Sequence, residues 1–104
     1  MERFSITTPI YYANGRPHIG HAYTTIAVDV LARLNKKFGR EVFFLTGTDE
    51  HGAKVADTAA SVGKEPQEFV EEIAQNFKDC WGKLDINYSD FIKIYSIFLA
   101  ILGD

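Results

Sequence analysis

Two histidines lie three positions apart near the start of the chain, in the stretch His18-Ile19-Gly20-His21. Pro17 precedes them and suits the first position of a helix, because its fixed φ is already helical and its missing N–H costs nothing there. This spacing places both imidazoles on one face of the first helical turn. Unpaired backbone N–H groups and the positive end of the helix dipole lie at the same place. The stretch therefore predicts an anion site and favours a phosphate whose charge grows during a reaction.

Two other interpretations of His18 and His21 stay open on these residues alone. The two histidines could have a purely structural role, with their hydrogen bonds satisfied at the start of a helix, or they could bind zinc. A zinc site usually has four ligands, and the chain adds only His51 and a single thiol, Cys80, which is distant in sequence. The lone cysteine also excludes an internal disulfide and fits a reducing cytoplasm.

The segments around the histidines predict how they are positioned. Phe4–Ile10 alternates apolar and hydroxylated residues, which is typical of a strand, and Asn14-Gly15 predicts a turn in the loop that follows. Apolar residues at helical spacing then predict a long amphipathic helix that begins at Ile19 and ends at the basic residues before Gly39.

A short apolar run, Val42-Phe43-Phe44-Leu45, follows this helix and predicts a buried, parallel strand. Strand, helix and strand make a βαβ unit with a right-handed crossover. Ligands of such sheets bind beyond the carboxyl ends of the strands. Both the loop after the first strand and the segment Gly47–Gly52 fall at that edge, so the topology brings them together.

The rest of the chain predicts two more helices and a third strand. One helix covers about His51–Ser61 and ends at Gly63, and the next begins at Pro66. Ile86–Tyr88 is predicted as a short strand. The fold class is therefore α/β, with parallel strands joined by crossover helices.

The sequence resembles a known family at two motifs. His18–His21 after a strand resembles the ATP-binding signature of class I aminoacyl-tRNA synthetases. The flanking Pro9–Gly15 stretch and the later Gly47–Gly52 (Gly-Thr-Asp-Glu-His-Gly) are similar to methionyl-tRNA synthetases in particular. An isoleucine enzyme could share the first two stretches, and the third favours methionine. The resemblance covers about residues 4–92.

The resemblance implies the first half of a Rossmann-like nucleotide-binding fold, with residues 1–92 as the N-terminal half of a catalytic domain. The implied reaction joins methionine and ATP, with Mg²⁺ accompanying ATP as substrate, to methionyl-adenylate. The methionyl group then passes to tRNA(Met) for translation. No zinc site is expected in this segment.

The resemblance also implies roles for residues near the ATP site. His18 and His21 would stabilise charge at the α-phosphate, and Gly20 would let the nucleotide approach the helix closely.

For methionine, the resemblance implies that the Asp49 carboxylate pairs with the ammonium group. Asp49 could instead cap the following helix. Ile10 would line the methionine pocket and accept from the ammonium through its carbonyl, while Tyr12 packs against the thioether. No step is assigned to Glu50 or His51.

The chain departs from the family after Lys93. The second half of the Rossmann sheet with its mobile Lys-Met-Ser-Lys-Ser loop, the connective domain with its zinc knuckle and the anticodon-reading domain have no counterpart. Residues 93–104 form a divergent apolar tail, which suggests a truncated or frameshifted gene. The alternatives are a non-catalytic relic, a nucleotide-binding module or a small nucleotidyltransferase. Activity of the chain alone is not expected, and the uncovered sheet edge predicts association.

Composition limits the remaining partners. The net charge of −3 over 104 residues provides no basic footprint for a nucleic acid. The longest apolar stretch, Ile94–Leu102, has nine residues, whereas a membrane span needs about 20. The N-terminus lacks the apolar run of a signal peptide. These features predict a cytoplasmic protein without a membrane partner.

Overall fold

Across the described residues, a four-stranded parallel sheet and three helices form the fold. The computed structural model describes residues 2–12, 15–49 and 53–93. In chain order the elements are β1 (Arg3–Thr7), β2 (Tyr11–Tyr12), α1 (Ile19–Lys37), β3 (Glu41–Asp49), α2 (Ala53–Ser61), α3 (Pro66–Lys83) and β4 (Asp90–Lys93). Strand β3 is central, with β1 and β2 pairing along it and β4 also paired to it, all parallel. The α/β class and the parallel strands predicted from the sequence are confirmed.

The first predicted strand, Phe4–Ile10, is broken into two. Strand β1 ends at Thr7, whose partner on β3 is Leu45, and β2 resumes the pairing at Tyr11. The N–H of Thr8 still reaches the Leu45 carbonyl at 3.1 Å, but Pro9 has no N–H to continue the ladder. The strand prediction was therefore too long at its carboxyl end.

Helix α1 confirms the prediction of a long helix after the histidines. It ends with Phe38 as its C-cap, and Gly39 follows with φ 84°, a left-handed conformation that glycine adopts without a steric cost. The start of the helix differs from the prediction, which placed Pro17 at the first helical position. The N-cap is His18, so Pro17 lies before the helix rather than at its first position.

Helix α3 supplies most of the larger core. Its buried face packs against α2 and against Tyr11 of β2, in a cluster formed by Tyr11, Val55, Ala59, Phe69, Val70, Ile73, Phe77 and Trp81. The sequence predicts this helix correctly from Pro66 onward. Helix α2 covers Ala53–Ser61, and its predicted start near His51 lies outside the described residues.

A buried carboxylate fixes the segment between α3 and β4. Asp29 of α1 accepts from the Arg33 Nε at 2.7 Å and from the Asn87 N–H at 2.9 Å. The predicted strand at Ile86–Tyr88 does not form: the Asn87 N–H bonds to a side chain and not to a neighbouring strand, and β4 begins at Asp90. Ile86 and Tyr88 pack against both core clusters.

Large apolar side chains remain exposed on the outer side of α1 and on β3. They include Ile19, Tyr23, Val30, Phe38 and Phe43. Within the described ranges, no helix is long and apolar enough to cross a membrane.

Gly47 is required by the contact between β3 and β4. A Cβ added there would lie 2.1 Å from the carbonyl oxygen of Ile92, a backbone atom of the paired strand. We expect Gly47→Ala to lower the free energy of unfolding by about 1–3 kcal/mol, because β4 must shift away. Urea unfolding measures the change. Gly82→Ala is the control, since nothing lies within 4 Å of its added Cβ, and an equal loss there would contradict the strand-contact explanation.

Candidate active site at the strand ends

The carboxyl ends of β2 and β3 lie side by side. Tyr12, the last residue of β2, is in register with Asp49, the last residue of β3. Two residues that the sequence predicts as amino-acid contacts are therefore neighbours across the sheet. The residues between Asp49 and Ala53, where α2 begins, lie outside the described ranges, so the helix-capping role considered for Asp49 stays a prediction.

The two histidines form a reciprocal cap at the head of α1. The Nδ1 atom of His18 accepts from the backbone N–H of Gly20 at 3.1 Å, and the Nδ1 atom of His21 accepts from the backbone N–H of His18 at 3.1 Å. Their rings stack with centroids 3.8 Å apart. This is the arrangement of a capping box, with imidazoles in place of a hydroxyl and a carboxylate.

The cap corrects one expectation from the sequence. Two of the backbone N–H groups expected to face an anion, those of His18 and Gly20, are bound by imidazole nitrogens instead. The structural role considered for the pair is therefore real, and it does not exclude a ligand role, because each imidazole has a second nitrogen.

Tyr11 is a site residue that the sequence reasoning missed. It is buried in the core, its ring lies 4.6 Å from that of His21, and its hydroxyl donates to the His21 carbonyl at 3.3 Å. The same hydroxyl is 2.8 Å from the Thr25 Oγ1. The sequence could have indicated this position of Tyr11, because adjacent residues of a strand point to opposite faces. If Tyr12 faces a ligand, Tyr11 faces the helix.

The surroundings of His21 change its protonation. Its ring lies 5.2 Å from that of Phe77 on α3 and stacks on His18. Burial lowers the pKa of His21, and the neighbouring His18 lowers it further. Both effects favour the uncharged imidazole.

Ile10 lies in the connection between β1 and β2, with 45% of its surface exposed. It borders a recess of about 230 Å³ lined by Thr7, Thr8, Ile10, Leu45, Thr46, Gly47 and Ile92. The Thr8 and Thr46 hydroxyls are hydrogen-bonded at 2.7 Å beside it. Glu50 and His51 lie outside the described residues. Among the residues that the structure does describe, no group of three or more potential ligands could hold a metal ion.

The family model described as tRNA synthetases class I (M) matches residues 4–96. The chain belongs to this family. The motif resemblance is therefore confirmed, as is the Rossmann-like class I fold.

Relatives and solved structures agree with this assignment. The methionine–tRNA ligase of Thermotoga maritima is 56% identical over 91 residues, covering 88% of this chain and 14% of the relative. The methionine–tRNA ligase of Mycoplasma pneumoniae is 54% identical over 93 residues, which cover 89% of this chain and 18% of that relative. A Mycobacterium tuberculosis methionyl-tRNA synthetase, solved in complex with methionyl-adenylate, superposes with a TM-score of 0.86 at 41% identity, covering 88% and 18%. The chain thus spans under a fifth of these proteins' length.

Gly20 in this class I synthetase chain lies directly against the His18 ring of the cap. A Cβ added at Gly20 would lie 2.9 Å from the His18 Cε1 and 3.1 Å from its Nδ1. The ring of His18 is exposed and can move, so the backbone need not shift.

We expect Gly20→Ala to displace the His18 imidazole with little change in stability. Losing the cap lowers the free energy of unfolding by about 1 kcal/mol. Replacing a helical glycine by alanine raises it by about the same amount. Urea unfolding should give a net change within about 0.5 kcal/mol. A loss above about 2 kcal/mol would mean that the added Cβ displaces backbone instead.

Proposed function

We propose that this chain provides the part of a methionine–tRNA ligase that binds ATP and methionine while methionyl-adenylate forms. One observation carries the proposal. The His18–His21 pair heads the helix that follows β2, and β2 ends at Tyr12 beside Asp49. Groups suited to a phosphate and groups suited to an amino acid therefore converge on one sheet edge of a class I synthetase chain.

ATP, with Mg²⁺ accompanying it as substrate, is the ligand proposed for the head of α1. Attack of the methionine carboxylate on the α-phosphate places added negative charge on the phosphate oxygens. His18 and His21 would donate to those oxygens, and donors already in place where charge develops are worth about 3 kcal/mol each. Gly20, without a Cβ, leaves room for the nucleotide beside the helix.

Methionine is the ligand proposed for the ends of β2 and β3. The Asp49 carboxylate would bind its ammonium group, because opposite charges favour each other strongly in a partly buried site. Tyr12 is half-buried next to Asp49 and would pack against the thioether. Ile10 would line the outer side of the pocket and accept from the ammonium through its carbonyl.

The complete reaction needs more polypeptide than this chain contains. The relatives are about six to seven times longer than the part that matches, because that part covers 18% and 14% of them. Transfer of methionine to tRNA(Met) in the cytoplasm is therefore proposed for a protein that includes those further segments. In this proposal residues 1–92 belong to the catalytic portion and the divergent tail is residues 93–104, although Lys93 still pairs in β4 and the family model matches to residue 96.

A chimera tests the proposal directly. The 91 matching residues of the Thermotoga maritima ligase are replaced by those of this chain, and methionine-dependent exchange of labelled pyrophosphate into ATP is measured. We expect exchange that requires methionine and that isoleucine does not support. A folded chimera that binds ATP but shows no exchange would contradict the proposal and favour a nucleotide-binding module. The same assay on the 104-residue chain alone should show no exchange.

A further inference from the structure

One side of the parallel sheet carries no helix in the part of the chain that the structure describes. The side chains of β1, β3 and β4 that join the core clusters are Ile6, Val42, Phe44 and Phe91. Ile6 pairs with Phe44, and Phe91 pairs with Thr46 of β3. All four therefore point to the same side of the sheet, because side chains alternate along a strand. Helices α1, α2 and α3 supply the rest of these clusters, so all three lie on that side.

The other side of the sheet is open. On β3 it presents Phe43, Leu45 and Gly47, while Thr7 of β1 pairs with Leu45 and Ile92 of β4 pairs with Gly47. Phe43 has 48% of its surface exposed, and the other four residues line the recess of about 230 Å³. We call the surface formed by these five residues the open face.

The open face favours an apolar cover. Parallel sheets occur almost only with both sides covered, and their strands read as continuous apolar runs, as residues 42–45 do here. Charged side chains lie only at its borders among the described residues. Arg3 and Glu41 form an ion pair at 3.6 Å at the amino end of the strands, and Asp90 lies beside Leu45 on β4. A segment that covers the surface between them is expected to be mainly apolar.

We propose that residues 94–104 of the same chain dock on the open face. The only charged residue among them is Asp104, and Ile94–Leu102 is the longest apolar stretch of the sequence. Lys93, the residue before them, ends β4 and follows Ile92 of the open face. The segment therefore begins at the border of the recess.

The segment is long enough to cover the open face. Fully extended, residues 94–104 span about 35 Å, whereas the distance along β3 from Gly47 to Phe43 is about 13 Å. The segment can therefore turn back at the carboxyl edge of the sheet and still reach Phe43.

The chain's own segment is favoured over a second copy as the occupant. A segment attached beside its docking surface acts at an effective concentration of about 1 mM, so it competes well against another molecule at ordinary protein concentrations. Ile10 also borders the recess, which places the docked segment next to the proposed methionine site. The docking itself does not rest on the proposed function.

Disulfide formation in the 104-residue chain tests the proposal. The free thiol of Cys80 is first removed by Cys80→Ala. Phe98→Cys is then combined with Thr7→Cys on the open face or with Lys78→Cys on α3. Thr7 is exposed, so the fold should tolerate the change. Lys78 is the matched control, because its Nζ lies 5.2 Å from the centroid of the Phe91 ring, near the end of β4 but on the side that the helices cover.

The rate of intramolecular disulfide formation is measured by mass spectrometry in a glutathione buffer. We expect the Thr7→Cys pair to close at least about tenfold faster than the Lys78→Cys pair, because a docked segment holds its thiol near one site and a free segment samples both. Equal rates, or a faster Lys78→Cys pair, would overturn the proposal. Disulfides found only in covalent dimers would overturn it as well and would assign the open face to a second copy.

Hydroxyl-radical footprinting gives a second measurement without new cysteines. Phe98→Asp places a charge in the segment, which an apolar surface disfavours, so oxidation of Phe43 should be greater in this variant than in the unsubstituted chain. Phe77 has 0% of its surface exposed and should stay protected in both chains, which shows that they are folded. Equal oxidation of Phe43 in the two folded chains would show that the segment does not cover the open face.

Discussion

Replacing Phe77 by alanine should lower the free energy of unfolding by about 3–5 kcal/mol, enough to leave a domain of this size largely unfolded. Phe77 has 0% of its surface exposed and is among the largest fully buried side chains. Its ring contacts those of Tyr11, Trp81 and His21. Truncation therefore removes buried apolar area and leaves a cavity between α3, β2 and the head of α1.

Urea unfolding followed by circular dichroism measures this loss. Phe77→Leu retains most of the volume, so we expect it to cost less than about 1.5 kcal/mol. Phe38→Ala is the matched control, because 69% of Phe38 is exposed and such a change is expected to stay within about 0.5 kcal/mol. Similar losses at Phe77 and Phe38 would contradict the assignment of the core.

Replacing His21 by alanine in the Thermotoga maritima chimera should slow methionyl-adenylate formation by about 10²–10³-fold, the usual effect of removing one preorganised donor to developing charge. ATP binding should change much less, because the proposed donation from His21 acts most strongly when charge accumulates on the α-phosphate. The change also removes half of the cap, which costs about 1 kcal/mol of stability, so the chimera remains folded.

Pre-steady-state adenylate formation and ATP affinity are measured together for this variant. Tyr23→Ala on the same helix is the control, since 79% of Tyr23 is exposed, and both quantities should stay near those of the unsubstituted chimera. Equal losses of ATP affinity and of adenylate formation in His21→Ala would show that the imidazole contributes only to binding.

The local pattern of apolar residues was sufficient to predict the longer helices and the central strand. The spacing of apolar residues predicted α1 and α3, because a helix that buries one face repeats that face every three or four residues. The apolar run at residues 42–45 predicted β3, and the order of elements placed both motifs at the carboxyl edge of the sheet. The motifs themselves indicated the synthetase family, since Gly47–Gly52 together with His18–His21 is a specific combination.

Only the tertiary structure decided how the site is held together. The break between β1 and β2, the start of β4 at Asp90 and the place of Tyr11 all depend on partners that are distant in sequence, such as Asp29 with Asn87. The reciprocal cap of His18 and His21 is local in sequence, yet it needs Tyr11 and Phe77 to hold the ring. The sequence determined which helices and strands form and which motifs lie at the carboxyl edge of the sheet, because the spacing of apolar residues is a local property of the chain. The nitrogen that each imidazole presents was decided by hydrogen bonds and packing, which exist only once the chain has folded.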